Sequence, residues 1–369
     1  MNEAYTPEDL KSTHDGLKWA DVELGVIPAW IADMDLPTAP EVIETLRRRA
    51  AGDLGYPSWL MEPNAGPLAE AFAERMAARY GWQADPSLVR SFNDLNQALQ
   101  VLLQVWTRPG DAVAVHTPAY PPFLTTLETM GRPLRPIRFE PDGTSWRFEM
   151  PDLSGCRVLL LVNPHNPTGR VFTRDELTHL AEHAERHDLL VIADEIHADL
   201  TFEPHRHIPF ATILPERTVT ITSATKAFNL GGIRCSVAHL GHRGMREALS
   251  AQPTFLFGSA NLFGVEATVA AWRHGDAWLE DTRALLDRNR RTIARLLPET
   301  FTYRVPEATY LAWLGVGRPG MAELIEREAR VRLTDGVGFG PGGEGHVRLN
   351  FATTEPVLAE ILKRLARTP

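Results

Sequence analysis

The sequence predicts an α/β protein in which helices cover both faces of a mostly parallel sheet. Three observations lead to this fold class: short apolar runs, helical patterns between them, and turn-forming residues at their ends. The candidate strands have four to six residues and are bounded by Gly, Pro, Asn or Asp; they are Ala112–Val115, Arg157–Val162, Leu189–Ala193, Val219–Thr222 and Ser236–Leu240. Since strands that alternate with helices form parallel sheets covered on both sides, these segments predict one central sheet.

The helices between these strands are predicted from apolar spacing and from start signals. Apolar residues recur at helical spacing in residues 175–187, as on a helix with one buried face. Thr173, three residues before Glu176, is typical of a capping box at the start of that helix. Thr38 and Glu41 have the same spacing and predict a second capping box.

The chain is long enough for two domains. It has 369 residues, whereas one domain typically has about 100–200. After about residue 270 the pattern becomes mainly helical, and it ends in the strand-like segment His346–Phe351. We therefore expect a large domain over residues 36–270 and a smaller α/β domain made of residues 1–35 and 271–369.

Composition and charge exclude several classes of protein. The formal net charge is −9, and because nucleic-acid phosphates need a basic surface, no nucleic-acid partner is expected. Residues 1–23 lack the apolar core of a signal peptide. Apolar runs such as Val158–Val162 are far shorter than the roughly 20 residues of a membrane span, so no membrane segment is expected. Two cysteines, Cys156 and Cys235, cannot form a disulfide framework, which favours a cytoplasmic location.

The segment from Ser223 to Arg234 carries the clearest chemical pattern. Lys226 directly follows a candidate strand, with Ser223 three residues before it and Arg234 eight residues after it. A lysine amine can form a Schiff base with a carbonyl cofactor, and hydroxyl and guanidinium groups bind a phosphate dianion. The alternative is an ordinary surface lysine in a turn.

Two further polar groups follow candidate strands. Asp194 ends a buried-strand pattern, and an acid at the carboxyl end of a parallel strand points into the crevice where ligands bind. Asn166 lies in a turn rich in Pro and Gly, which fix a rigid backbone. The alternatives are a helix cap or surface turn for Asp194 and a simple loop for Asn166.

The order of these motifs resembles a known family. Asn-Pro-x-Asn-Pro-Thr-Gly, Asp-x-x-His, Ser-x-x-Lys with an arginine eight residues on, and a late Arg-x-Asn resemble fold-type I, class I/II aminotransferase-like enzymes, which use pyridoxal 5′-phosphate (PLP). Four strings resemble the MalY/PatB branch, the cystathionine β-lyases or cysteine C–S lyases: Leu17–Trp19, Trp30–Asp35, Asn163–Gly169 and Asp194–Leu200. The resemblance extends from about residue 10 to about residue 352.

The resemblance implies a set of groups around the cofactor phosphate. These are the backbone amides of Leu95 and Asn96 at a helix terminus, together with Ser223 and Arg234. Tyr56 matches a tyrosine that reaches the phosphate of the neighbouring subunit, so a homodimer is implied.

The segment at this helix terminus departs from the pattern that the resemblance implies. Many relatives carry apolar residues and often Gly where this chain has Asn93–Gln97, which includes the carboxylate of Asp94. A carboxylate there would repel a phosphate unless it caps the helix. We expect capping, since Asp is a preferred N-cap residue.

The resemblance also assigns residues around the cofactor ring. Tyr120 matches the aromatic residue that stacks on the ring. Asn166 and His197 face its 3′-oxygen, and Asp194 keeps the pyridine nitrogen protonated. Lys226 is expected to carry the cofactor and to act as the catalytic base.

The expected substrate is a small amino acid. Arg348 matches the arginine that binds the substrate α-carboxylate as a bidentate fork, and its alternative is a structural salt bridge. Ala32, within the Trp30–Asp35 string, is expected to contact the substrate.

The branch favours one of three reactions that share these groups. It favours β-elimination from an S-substituted cysteine such as cystathionine, which gives a thiol, pyruvate and ammonia. Transamination is the alternative, as is a related PLP reaction on a sulfur-containing natural-product intermediate; decarboxylation is the third outcome that PLP permits. A PLP-containing regulator or inactive binding protein is a different class, which the complete set of Lys226, Asp194 and Arg348 disfavours.

Three motifs are interpreted as structural rather than functional. Gly338–Gly343 has Gly-x-Gly-x-x-Gly spacing but lies too near the end of the sequence for a dinucleotide-binding unit. His179–His183 matches a metalloprotease string, yet it lies on the polar face of the capped helix, and no metal site is expected. His205–His207 is expected to lie on the surface.

Overall fold

The structure, a computed structural model, describes residues 5–253 and 255–367. Its helices are α1 Pro7–Thr13, α2 Leu17–Ala20, α3 Pro40–Ala50, α4 Pro67–Tyr80, α5 Leu95–Trp106, α6 Pro121–Thr129, α7 Arg174–Arg186, α8 Arg243–Ser250, α9 Leu262–His274, α10 Asp276–Leu296, α11 Met321–Ala329 and α12 Glu355–Leu365. Its strands are β1 Ile27–Pro28, β2 Val89–Phe92, β3 Ala112–Thr117, β4 Leu134–Asp142, β5 Ser145–Phe148, β6 Cys156–Val162, β7 Leu190–Asp194, β8 Thr218–Thr222, β9 Ser236–Leu240, β10 Thr302–Tyr303, β11 Leu311–Gly315, β12 Val331–Arg332, β13 Thr334–Asp335 and β14 His346–Asn350.

The central sheet is mostly parallel, as the sequence predicts. Its strand order is β2-β9-β8-β7-β6-β3-β4-β5. Strands β8, β7, β6, β3 and β4 run parallel to one another. Strand β9 is antiparallel to both of its neighbours, and β5 is antiparallel to β4. The five candidate strands are therefore confirmed, with β9 inserted in the reverse direction.

Helices cover both faces of this sheet. Along β6, Val158 and Leu160 pack into a core with helices α5, α6 and α8, whereas Leu159 and Leu161 pack on the other side with α7. Side chains along a strand point alternately to the two faces, and helices bury both faces of this sheet. Every position of Val158–Val162 is therefore apolar, which explains the unbroken apolar run in the sequence.

A smaller C-terminal domain contains its own sheet of order β10-β11-β14-β13. Its strand pairs are all antiparallel. The N-terminal segment joins this region, since β1 pairs with β12 and Asn350 N–H donates to the Ala29 carbonyl (2.8 Å). The boundaries at residues 35 and 270 stay a prediction.

One of the two predicted capping boxes is present. The Thr173 hydroxyl accepts from the N–H of Glu176, and the Glu176 carboxylate accepts from the N–H of Thr173. The other prediction is wrong, because Pro40 occupies the first position of α3 and Ala39 is its N-cap, without a side-chain bond. Thr38 therefore lies one residue before the N-cap. A hydroxyl has to be at the N-cap itself to accept from the N–H groups of the first turn.

Two findings bear on where the chain acts. Cys156 and Cys235 are both buried and free of disulfides. Within the described ranges, every helix is too short or too polar to cross a membrane.

Candidate active site

The carboxyl ends of the parallel strands bring the predicted residues to one edge of the sheet. Val162 at the end of β6 pairs with Asp194 at the end of β7, and Asp194 pairs with Ile221 in β8. The segments that continue from the two outer strands, with Asn163 after β6 and Ser223 after β8, therefore begin on either side of the end of β7. This edge is where ligands bind in open α/β sheets.

Lys226 lies in the turn after β8, and its amine points to the N-terminal segment. Its Nζ donates a hydrogen bond of 2.8 Å to the carbonyl oxygen of Ala32. Burial lowers the pKa of Lys226 to about 8, with the nearby Asp33 carboxylate acting in the opposite direction. A lysine with this pKa is partly neutral near pH 8 and can act as a nucleophile or a base.

Asp194 is buried at the end of β7, with 3% of its surface exposed. One carboxylate oxygen accepts from the N–H of Ile196 (3.0 Å). Burial raises the pKa of Asp194 to about 7, although that bond and the nearby Lys226 favour the charged form. A cationic group placed against this carboxylate would lower the free energy of its ionised form.

Arg348 is buried on β14 and contacts both the N-terminal segment and the large domain. Its Nη1 donates to Asn166 Oδ1 (3.1 Å), and its Nη2 donates to the Trp30 carbonyl (3.2 Å). Its guanidinium also lies 5.1 Å from the ring centroid of Phe339. Burial lowers the pKa of Arg348 to about 10, so the side chain is still charged at neutral pH. Its hydrogen-bond partners are neutral groups, whereas the alternative interpretation of Arg348, a structural salt bridge, requires a carboxylate partner.

His197 is a buried neutral imidazole beside the same cleft. Burial, followed by the positive charges of Lys226 and Arg348, lowers the pKa of His197 to about 3. Its ring lies 6.3 Å from the ring of Tyr310, measured between centroids. A neutral imidazole here can donate or accept a hydrogen bond, according to its tautomer.

The N-terminus of α5 contacts Arg234 of the Ser223–Arg234 segment. Asp94 is its N-cap, as the sequence predicts, and Asp94 Oδ1 accepts from the N–H of Gln97 (2.9 Å). Leu95 and Asn96 are the first two residues of the helix, so their N–H groups precede the intrahelical bonds and are open to an anion. The other oxygen, Asp94 Oδ2, pairs with Arg234 Nη2.

Ser223 and Tyr120 follow the ends of β8 and β3. The Ser223 hydroxyl donates to the Cys235 carbonyl (2.6 Å) and accepts from the N–H of Thr225 (3.1 Å), so it holds the turn that carries Lys226. Tyr120 is the N-cap of α6, and its ring packs edge-to-face on Phe123 at 5.2 Å. The phosphate role of Ser223 and the stacking role of Tyr120 stay predictions.

Tyr56 is a predicted site residue that lies on the surface of the subunit. It precedes α4 and is 91% exposed. A large aromatic side chain with so much exposed surface is unusual in an isolated subunit. Its predicted role in the neighbouring subunit stays a prediction.

Tyr310 is a site residue that the sequence analysis missed. Its hydroxyl donates to the Ala32 carbonyl (3.1 Å), the same acceptor that Lys226 uses. The preceding residue, Thr309, has φ +73°, a conformation that costs free energy for a β-branched residue and is found mainly where structure imposes it. No local pattern signals this role, because Tyr310 precedes an apolar strand and resembles a core residue.

One of the three motifs set aside as structural differs from the prediction. His207 is buried and its Nε2 lies 3.2 Å from the Glu195 carboxylate, next to Asp194, so the prediction that it lies on the surface is wrong. Arg206 in the same segment is exposed. The burial of His207 follows from its packing on the ring of Tyr80, at a centroid distance of 5.3 Å.

The other two motifs lie in structural positions. His179 is exposed on α7, and His183 and His179 contact each other at 4.7 Å between ring centroids. Residues 5–253 and 255–367 contain no group of three or more His, Cys, Asp or Glu side chains arranged to hold a metal ion. In the Gly338–Gly343 segment, Phe339 is buried and its carbonyl accepts from the N–H of Ala119.

The cleft also contains buried polar atoms without partners. Within the described residues, His197 Nδ1, Arg348 Nε and Asn163 Nδ2 have no hydrogen-bond partner, and unsatisfied buried groups are costly. They lie with a low-pKa lysine, a buried carboxylate and a helix N-terminus. This donor set fits PLP and an amino acid, which bring a ring oxygen, a pyridine nitrogen, a phosphate and a carboxylate.

Comparison with known proteins agrees with this geometry. A "Putative cystathionine beta-lyase" of Mycobacterium tuberculosis is 34% identical over 99% of this chain and 97% of its own length. "Cystathionine beta-lyase PatB" of Bacillus subtilis is 33% identical over 92% of this chain and 91% of its own length. The crystal structure of cystalysin from Treponema denticola, which contains pyridoxal 5′-phosphate, has a TM-score of 0.90 and 26% identity, and covers 97% of this chain and 96% of that chain.

These similarities confirm the fold class and the resemblance on which the site was predicted. Residues 33–365 match the family described as aminotransferase class I and II, which is most of the chain. Both of the curated relatives named above exceed 30% identity over nearly their whole lengths. The chain belongs to the class I and II aminotransferase family.

Proposed function

We propose that the protein is a PLP-dependent carbon–sulfur β-lyase that acts on S-substituted L-cysteines such as cystathionine. The products are a thiol, pyruvate and ammonia. One observation carries the proposal: the chain has a half-buried lysine with a buried aspartate and arginine at one cleft, and it is 33–34% identical to proteins named cystathionine beta-lyase over at least 91% of their lengths.

The ring-binding residues have properties suited to PLP. When bound, PLP supplies an electron sink that stabilises negative charge on the substrate α-carbon. Asp194 would hold the pyridine nitrogen, because a buried carboxylate is stabilised by a cationic partner. Asn166 and His197 would bind the ring oxygen, and Tyr120 would offer an aromatic face.

Lys226 is the residue that holds and moves protons in this proposal. A pKa of about 8 leaves much of its amine neutral under mildly alkaline conditions, so it can accept the substrate α-proton. The ammonium then donates a proton to the sulfur as the C–S bond breaks, and the sulfur leaves as a thiol. The Ala32 carbonyl, 2.8 Å from Nζ, is an acceptor that keeps this ammonium in the cleft.

Arg348 is the proposed anchor for the substrate carboxylate. It keeps its charge at neutral pH despite burial, and its Nε lacks a hydrogen-bond partner among the described residues. Asn166 and the Trp30 carbonyl hold two of its other nitrogens. A guanidinium fixed in this way loses little freedom when a carboxylate binds.

The proposed phosphate site combines backbone and side-chain groups. The N–H groups of Leu95 and Asn96 open the helix α5, where the helix dipole favours an anion. Arg234 supplies positive charge, and Ser223 supplies a hydroxyl close to Lys226.

The active form is proposed to be a homodimer. Tyr56 is one of several large apolar or aromatic side chains that are more than half exposed, and Leu54, Met61, Phe255 and Leu256 are among the others. Exposed apolar surface of this kind is typical of a subunit interface. In the dimer, Tyr56 would reach the phosphate of the neighbouring subunit. A cytoplasmic location stays a prediction.

A panel of S-substituted cysteines tests the proposed reaction. Cystathionine and several S-alkyl cysteines are incubated with the holoenzyme, and thiol and pyruvate are measured together. The lyase releases both in equal amounts, and the Lys226→Ala variant releases neither. Pyruvate without thiol, or no product from any member of the panel, would contradict the proposal. The ranking of substrates identifies the sulfur substituent that the pocket accepts.

A further inference from the structure

We propose that Asp94 competes with the cofactor phosphate for Arg234. In the cofactor-free protein Asp94 pairs with Arg234, and this ion pair weakens the binding of PLP. The inference rests on the proposed assignment of Arg234 and the N-terminus of α5 to that phosphate. It concerns the carboxylate that caps α5 beside that proposed phosphate site.

The two oxygens of Asp94 have different tasks. Oδ1 accepts from the N–H of Gln97 at 2.9 Å and caps α5. Oδ2 pairs with Arg234 Nη2. One carboxylate therefore holds the first turn of the helix and neutralises the guanidinium at the same time.

The backbone of Arg234 is held in a defined conformation next to Asp94. Arg234 has φ +58°, a left-handed conformation that costs free energy for a non-glycine residue. Its carbonyl accepts from Asn261 Nδ2 (3.3 Å), and the next carbonyl, of Cys235, accepts from Ser223 (2.6 Å). The backbone of this turn is thus held on both sides, and the exposed Arg234 side chain that leaves it pairs with Asp94.

A phosphate at this helix terminus meets the same carboxylate. Leu95 and Asn96, whose N–H groups are proposed to bind the phosphate, directly follow Asp94. Two like charges close together repel each other, and the phosphate must share Arg234 with Asp94 or displace it. The binding of PLP therefore includes the loss of an ion pair and a repulsion, both of which lower its affinity.

The helix does not need the negative charge of Asp94. Asn caps a helix about as well as Asp. The first turn also has a second cap, because Gln97 Oε1 accepts from the N–H of Asn93 (2.8 Å). Gln97 Nε2 is itself held by the Phe257 carbonyl (2.6 Å). Replacing Asp94 with Asn therefore removes the charge and keeps the fold of the site.

Affinities of the cofactor-free protein for PLP and for pyridoxal, which lacks the phosphate, test the inference. Asp94→Asn is expected to lower the Kd for PLP by roughly three- to tenfold at low salt. In the variant the phosphate can bind Arg234 without breaking a charge-assisted contact between Asp94 and Arg234. The Kd for pyridoxal should be unchanged. The difference between the two proteins should shrink as salt is raised, because salt screens exposed charges. Asp152→Asn, before the amino end of β6, is the control for net charge and should leave both Kd values unchanged.

The variant Arg234→Ala separates failure of this inference from failure of the phosphate assignment. Suppose that Arg234→Ala weakens the binding of PLP but not that of pyridoxal, so that the phosphate assignment stands. If Asp94→Asn then leaves the affinity for PLP unchanged or lowers it, the competitor role of Asp94 is wrong. If neither variant changes PLP affinity, both are wrong. Equal tightening of PLP and pyridoxal by Asp94→Asn also overturns the inference, because the effect would not act through the phosphate.

Discussion

The amine of Lys226 donates a 2.8 Å hydrogen bond to the carbonyl oxygen of Ala32, a residue 194 positions earlier in the chain. Tyr310, from the C-terminal region, donates to the same oxygen at 3.1 Å. Three distant segments therefore meet at one backbone carbonyl. Because Lys226 is proposed to move protons, this oxygen sets where its ammonium rests when it carries the substrate proton.

The pKa of Lys226 predicts how fast the cofactor-free protein captures PLP. Only the neutral amine attacks the aldehyde, so the rate rises with pH through a midpoint at the pKa, which burial lowers to about 8 from an ordinary 10.5. Stopped-flow absorbance after mixing with PLP measures the profile. A midpoint near 10.5 would show that the amine is not desolvated in solution.

Borohydride reduction and peptide mapping identify the lysine that carries PLP. The other lysines in the sequence are Lys11, Lys18 and Lys363. We expect the pyridoxyl group on Lys226 alone, none in Lys226→Ala, and an unchanged result in Lys363→Ala, which serves as the control. An adduct on another lysine in the active enzyme refutes the assignment.

The pKa of Asp194 predicts a pH-dependent stability of the cofactor-free protein. Its pKa is about 7 when folded and 3.8 ordinarily, so the folded state keeps the proton to higher pH. The free energy of unfolding therefore falls as pH rises from about 4 to about 7, and the loss persists above pH 7.

An Asp194→Asn variant removes this loss, because Asn does not ionise. We compare the free energy of unfolding of the variant with that of the wild type at each pH. The variant's advantage should be about 2 kcal/mol larger at pH 8 than at pH 5. Denaturant unfolding of both cofactor-free proteins at the two pH values measures this. A mutational effect that is the same at pH 5 and pH 8 would mean that the carboxylate is not desolvated. In the holoenzyme the same variant should weaken PLP binding.

Arg348→Ala should act mainly on the substrate. We expect kcat/KM to fall by roughly 10²–10³-fold, mostly through KM, because a buried charge-assisted contact to the carboxylate is lost. Arg348→Lys should recover part of this loss, since it keeps the charge without the fork. Steady-state kinetics gives both constants, and PLP affinity should stay unchanged. An unaltered KM in Arg348→Ala would assign the carboxylate to another group.

A mixture of two inactive variants tests the homodimer. In a heterodimer of Tyr56→Phe and Lys226→Ala, one site receives both native residues, and the other receives neither. Random mixing gives about half heterodimers, so about a quarter of wild-type activity should return. Verified heterodimers that are no more active than their parents would indicate a site built within one chain.

Local patterns in the sequence were sufficient for the strands, for the Thr173 capping box and for the Asp94 cap. Each depends on residues within a few positions of one another, and local spacing records such contacts directly. The spacing of Thr38 and Glu41 did not predict the start of α3 correctly, because the helix begins at Pro40 and its N-cap is Ala39.

Contacts between distant segments were not predictable in the same way. The reverse direction of β9 depends on its neighbours in the sheet and not on its own residues. Tyr310 and His207 look like a core residue and a surface residue, yet both lie close to the cleft through tertiary packing. The resemblance gave the remaining site residues, since their order along the chain is characteristic even where each motif alone is weak.

The dependence of turnover on a keto acid distinguishes β-elimination from transamination. Elimination returns the cofactor to its starting form in every cycle, whereas transamination leaves it as the amine until a keto acid restores it. Holoenzyme is mixed with a large excess of cystathionine or an S-alkyl cysteine without any keto acid, and pyruvate is followed over time. A β-lyase forms pyruvate steadily over many turnovers, and this is the result we expect. A single stoichiometric turnover that stops until a keto acid is added would contradict it and establish an aminotransferase.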